Sequence, residues 1–292
     1  MMNIRTIKEV PTMEIQDKTS TGNNNPKPED IRASVRIKYG QLALKVNSSG
    51  CGCSSDSSCC TGGDLDAQGV SEILGYSLKD LKGLPEGANM GLGCGNPQDF
   101  ADLKPGEKVL DLGSGGGIDC FLASKKVGPE GSVIGVDITL EMVEKSQRLT
   151  VEAGVENVEF RQGTIEDLPV ASDTIDVVIS NCVINLSPEK SKVFQEVFRV
   201  LKPGGRLRIS DVVASTELPE NLKNDLGSLS ACIGGAVSAD EIRTLLETAG
   251  FQDISILPKD SSRSFIKNWI PGTQAEDYVV SAWIMAQKPI TQ

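Results

Sequence analysis

The chain has 292 residues, 39% of them hydrophobic, and a formal net charge of −11. That suits one large core and argues against nucleic acid as a partner, because phosphate binding needs a basic surface. Eight cysteines and no histidine are present, which removes the commonest general base and leaves soft-ligand chemistry to the thiols. No run of about 18 apolar residues marks a membrane span. The first 28 residues are polar, TSTGNNNPKP at 19–28 included, and lack the apolar heart of a secretion signal, so a cytoplasmic protein with reduced thiols is expected.

Residues 1–28 read as a flexible tail. Pro28-Glu29-Asp30 opens a helix, and Ile31, Val35, Tyr39, Leu42 and Val46 fall on one face of it. Residues 47–63, NSSGCGCSSDSSCCTGG, have no periodicity and read as a loop carrying Cys51, Cys53, Cys59 and Cys60. A helical stretch over 68–83 leads to GLGCGNP at 91–97. From residue 105 strands and helices alternate. Strands are predicted at 108–113, 132–137, 158–163, 174–181 and 206–213. A helix capped by Thr139 ends at Gly154, and another starts at Ser187-Pro188-Glu189 and stops at Lys202-Pro203-Gly204-Gly205. A helix at 240–250 and strands at 253–257 and 278–288 follow. The pattern predicts an α/β Rossmann-like sheet, mostly parallel with a terminal antiparallel strand. Four regions are expected: the tail, a helical lid at 29–104, a core at 105–213 and a sheet-completing region at 214–292.

Asp111-Leu-Gly113-Ser114-Gly115-Gly-Gly117 lies between the first strand and its helix, where such sheets bind ligands. The third glycine of a dinucleotide fingerprint falls on Ile118, and Asp111 suits a cationic ligand better than a pyrophosphate. Asp137, at the end of the second strand, is placed to accept from a ribose diol.

DLGSGGG, GVDIT, GTIEDLP, SNCVINLSP and LKPGG together resemble the S-adenosylmethionine-dependent class I methyltransferases. That resemblance implies S-adenosylmethionine as cofactor, with Asp111, Gly113, Ser114 and Gly115 at its methionine end. Asp137 would hold the ribose hydroxyls, Ile138 and Met142 would lie beside the adenosine, and Ile165 and Glu166 would flank the adenine. Asn181 would open the substrate side. VRIKYG, the loop ending Cys59-Cys60, GCGNP, SNCVINLSPEK and CIGGA resemble, more narrowly, the arsenite methyltransferases. The implied substrate is arsenite or its thiol conjugates, held by Cys94, Cys182 and Cys232, with a cysteine of the 51–60 loop, Cys60 among them, as disulfide partner. Thioredoxin or a glutathione-like thiol would be the reductant, and a monomer the working form.

Trivalent arsenic keeps a lone pair after three sulfurs attach, so a chain without histidine needs no base to activate it. Cys120, Tyr39 and Trp269 are read as packing residues. Two other readings compete: a methyltransferase of the same class acting on carbon, such as a quinone precursor, and a non-enzymatic thiolate trap for metalloids. The first predicts that cysteine-to-serine changes leave activity, the second that Asp111 and Asp137 are dispensable.

Overall fold

A computed structural model describes residues 26–45, 66–270 and 272–290. The loop cysteines Cys51, Cys53, Cys59 and Cys60, and nearly all of the expected tail, lie outside the described residues.

Helix α1 (Pro28–Lys45) precedes two short helices, α2 (Ala67–Ile73) and α3 (Leu78–Lys82). The helical stretch expected at 68–83 is therefore broken, with Ser77 capping α3 by accepting from the Asp80 N–H. The alternating part runs β1 (Lys108–Leu112), α4 (Ile118–Val127), β2 (Ser132–Asp137), α5 (Leu140–Ala153), β3 (Val158–Gln162), β4 (Ile175–Asn181), α6 (Lys190–Val200) and β5 (Leu201–Ala214). Four further helices, α7 (Glu220–Lys223), α8 (Leu226–Leu229), α9 (Ala239–Ala249) and α10 (Arg263–Ile266), come next, with β6 (Gln252–Lys259) between the last two. The chain closes with α11 (Ala275–Tyr278) and β7 (Val279–Gln287).

The seven strands form one sheet in the order β3-β2-β1-β4-β5-β7-β6, with β7 antiparallel to both neighbours. The central strands are uninterrupted apolar runs because helices cover both faces; Val109, Leu110, Val177, Val178 and Ile179 are fully buried. Helix α6 closes one face with Val193, Phe194, Val197 and Val200. On the other face Cys120, Phe121 and Phe160 pack beneath the glycine loop.

Two boundaries differ from expectation, each for a local reason. The segment Leu201–Gly205 is part of β5 and not a stop before it, because the pairing with β4 shifts register between Ile175↔Leu201 and Val177↔Arg206. Ser187 does not cap α6 as its first residue. Its hydroxyl accepts from the Glu189 N–H, and the helix starts at Lys190. Thr139 is the N-cap residue of α5 and Gly154 its C-cap, as expected; Thr139 makes no side-chain cap bond, and its N–H donates to Asp137.

Candidate active site

The carboxyl ends of β1, β2 and β4 open into a cavity of about 520 Å³. Every residue expected at the cofactor lines it: Asp111, Gly113, Ser114 and Gly115 on the loop, Asp137 and Ile138 after β2, Met142 on α5, then Ile165, Glu166 and Asn181. Gly115 has φ +50°, and a Cβ there would meet nothing within 4 Å. The backbone is thus bare toward the cavity. Asp137 accepts from the Gly115 N–H at 2.9 Å and the Thr139 N–H at 2.8 Å, one per carboxylate oxygen. Each oxygen keeps a lone pair for a ligand. The buried hydroxyl of Ser114 has no protein partner.

The floor of the cavity is acidic. Burial, reinforced by Asp119, pushes Asp111 well above the usual carboxylate range. Burial pushes Asp119 up to about 6 and raises Asp137. A ligand bearing an ammonium and a sulfonium relieves that strain, whereas an anion would worsen it. Met142, Ile138 and Ile165 offer apolar surface to a flat ring. The chemistry of this donor set fits S-adenosylmethionine.

Because the folded protein holds the Asp119 proton to about 6 and the unfolded chain releases it near its ordinary value, ionisation costs folded-state stability as pH climbs between those values. Asp119→Asn is spared that cost. Its stability relative to the unsubstituted protein is expected to improve from pH 4 to pH 6 and then level off, measured by urea unfolding across pH.

At the far side of the cavity three cysteines come together from separate segments. Asn181 sets the first. Its Oδ1 accepts the Cys94 N–H at 3.0 Å, and its Nδ2 donates to the Gly95 carbonyl and to the Tyr76 hydroxyl. Tyr76 donates in turn to Asp119. The glycines flanking Cys94 let its segment pack tightly against neighbouring side chains. A Cβ on Gly93 would strike the Asn181 side chain, and one on Gly95 would strike the Ser210 hydroxyl. Cys94 is consequently 1% exposed, behind the cavity wall, with its thiol donating to the Ser210 carbonyl at 3.5 Å.

Cys182 follows β4 and lines the cavity, as does Cys232 from the segment after α8. Both adopt left-handed backbone, φ +59° and +65°, a conformation that costs a non-glycine residue energy and clusters at functional sites. The Cys232 thiol donates to the Cys182 carbonyl at 2.8 Å. Hydrogen bonding with Cys232 and Cys94, together with burial, holds the Cys182 thiol well above its ordinary value. Cys232 is raised too: Cys182 pulls it down, but burial and the charges of Asp211 and Cys94 outweigh that. Cys182 and Cys232 therefore rest protonated.

Several participants escape a sequence reading. Asp211, toward the carboxyl end of β5, has a carboxylate oxygen that lies with the Cys94 and Cys182 sulfurs in one buried group spanning no more than 4.8 Å. Burial pushes it up to about 6. Tyr76 and Asp119 form the bridge to Asn181. Arg32 on α1 pairs with Glu166 at 3.3 Å and with Glu189, pinning the helix over the cavity. Tyr39 and Trp269, read as packing residues, do pack but also line the cavity; Tyr39 donates to the Ser230 carbonyl and Trp269 lies against Phe265. Cys120 is fully buried as expected and donates to Asp111 at 3.3 Å.

Residues 103–250 match the family model described as a methyltransferase domain. An arsenite methyltransferase from Halobacterium salinarum is 47% identical over 266 residues, 90% of this chain and 68% of that protein. One from Aquipseudomonas alcaligenes is 45% identical over 158 residues, 52% of this chain and 46% of that protein. The crystal structure of an arsenic (III) S-adenosylmethionine methyltransferase from Chlamydomonas reinhardtii superposes with a TM-score of 0.58 at 30% identity, covering 76% of this chain and 73% of that one. This chain thus spans about two thirds of the first relative and under half of the second.

Proposed function

This chain belongs to the arsenite methyltransferase family, and from that footing we propose that Cys94, Cys182 and Cys232 hold trivalent arsenic for methyl transfer from S-adenosylmethionine. The observation that carries the assignment is the meeting of three sequence-distant thiols beside a cavity whose other wall suits the cofactor.

The raised thiol pKa values are compatible with this chemistry. Each arsenic–sulfur bond forms by condensation of a protonated thiol with an arsenic hydroxyl, releasing water, or by exchange with a small thiol. No net charge is buried, and no base is required. When bound, the cofactor supplies an electrophilic methyl group on a sulfonium. Asp111 and Asp137 hold its cationic and ribose parts, and the glycine loop lets it approach the backbone. Asn181 keeps the Cys94 segment in place while facing the cavity, and Cys182, at the carboxyl end of β4, would present the arsenic to the cofactor side of the cavity. Alignment of donor and acceptor is the main source of rate.

The segment 29–104 serves as the lid, fastened by Arg32, with residues 105–213 as the core and 214–292 supplying Cys232 and two strands. Cys60 or a neighbour in its loop resets the site by disulfide exchange. A thioredoxin or glutathione-like thiol, in the cytoplasm, returns the electrons that arsenic loses on methylation, and the enzyme works as a monomer. Among the described residues no helix is long and apolar enough to cross a membrane.

Incubation of the purified protein with arsenite, labelled S-adenosylmethionine and excess thiol, followed by chromatography of arsenic species, tests the assignment. Methylated arsenic is expected, and its absence from folded, cofactor-binding protein would refute it. Asn181→Ala removes the anchors of Cys94 and is expected to weaken arsenite binding about tenfold, consistent with losing one or two hydrogen bonds. Intrinsic fluorescence reads this, since Trp269 packs on the cysteine cluster.

A further inference from the structure

The arsenic site contains a donor that arsenic does not use. Asp211 is 1% exposed, and its carboxylate shares a buried group of at most 4.8 Å with the Cys94 and Cys182 sulfurs. The carboxylate is fixed in place. The Ile184 N–H donates to one oxygen at 2.8 Å, and Asn185 Nδ2 and the Val212 N–H donate to the other at 3.0 and 2.7 Å. Metal-ligating carboxylates carry such outer hydrogen bonds, which set their orientation.

We propose that Cys94, Cys182 and Asp211 also form a site for a borderline-soft divalent cation, Zn²⁺ or Cd²⁺, whose binding excludes trivalent arsenic. Arsenic(III) makes three bonds, prefers sulfur and keeps a lone pair, so a carboxylate adds no bond to it. A divalent zinc-like ion takes four ligands in a tetrahedron and accepts sulfur and oxygen together, with bonds of about 2.0–2.3 Å. Donor atoms no more than 4.8 Å apart reach such an ion with small side-chain rotations. Water takes the fourth position, as in open zinc sites with three protein ligands.

Charge favours the same occupant. Two thiolates and one carboxylate exceed a divalent cation by one negative charge, and the half-buried Lys190, in the field of Asp211 and Cys232, offsets it. Binding forms two metal–sulfur bonds, breaks two S–H bonds and releases both protons to water. No electrons move. The proposal uses the arsenic reading only to name the competitor; the cation site stands on its own geometry.

The test uses the full chain with Cys51, Cys53, Cys59 and Cys60 replaced by serine, which removes competing loop thiols, in a phosphine reductant. Cd²⁺ is titrated by its ultraviolet cadmium–thiolate absorbance, and arsenite by tryptophan fluorescence. One Cd²⁺ per chain, displaced by arsenite, is expected. Asp211→Asn should weaken Cd²⁺ at least about tenfold and change arsenite affinity less than about threefold. Unchanged Cd²⁺ affinity in Asp211→Asn, or simultaneous binding of both, would overturn the proposal. Should Asp211→Asn fail to fold, Cys94→Ser leaves the carboxylate's hydrogen bonds intact and decides the matter: retained Cd²⁺ affinity there refutes the site. Intact Cd²⁺ binding with no arsenite binding would sink the arsenic reading alone.

Discussion

Replacing Cys182 with serine is expected to lower methyl transfer to arsenic at least about a hundredfold, roughly 2.7 kcal/mol in barrier, while S-adenosylmethionine still binds within about threefold. Cys182 has Cys94 and Cys232 as thiol neighbours, so its loss breaks the three-sulfur set at its centre. A serine oxygen forms arsenic bonds that water reverses, because arsenic(III) prefers soft ligands. Serine is close to cysteine in size, and the backbone hydrogen bond from the Cys182 N–H to the Ser210 carbonyl at 2.8 Å is kept. Loss of folding is therefore not the expected cause. Calorimetric titration of the cofactor and chromatography of arsenic products separate the two effects. Near-normal arsenic methylation by this variant would show that Cys182 is not a ligand of the arsenic.

Gly235→Ala is expected to destabilise the protein by about 1–3 kcal/mol, the usual cost of overpacking, and to weaken arsenite binding tenfold or more. A Cβ at Gly235 would lie 3.1 Å from the Asn185 carbonyl carbon and well inside contact with its oxygen. That neighbour is backbone and cannot rotate away. Asn185 is itself held, its Nδ2 donating to Asp211 and to the Val212 carbonyl, so the strain falls on the segment bearing Cys232. Urea unfolding and fluorescence titration measure the two effects. A variant as stable as its parent and binding arsenite equally well would show that the 182 and 232 segments need not touch.

The core fold was legible because its signals are local. Buried parallel strands read as unbroken Val/Ile/Leu runs, and α6 repeats its apolar stripe at helical spacing. The start of β5 was not, since Lys202-Pro203-Gly204-Gly205 carries turn residues and only pairing with β4 keeps it in the sheet. The cofactor wall followed from the resemblance, and all ten residues line the cavity. Convergence of Cys94, Cys182 and Cys232 is nowhere in the spacing, because contacts across 50 or more positions leave no periodic trace. Asp211 was invisible for a related reason. An acid within a strand reads as its solvent side until the turn at Ile184–Leu186 folds over it.

The left-handed backbone at Cys182 and Cys232 bears on how this lineage changes over time. Holding an ordinary side chain there costs about 1–2 kcal/mol at each position, a load that glycine avoids and that asparagine or aspartate partly relieves. Wherever arsenic exposure ceases, mutation at these two codons should therefore drift toward those three residues, each step slightly raising thermal stability. On the proposed ligand set, a thiol persisting at both positions would record continued selection by the metalloid.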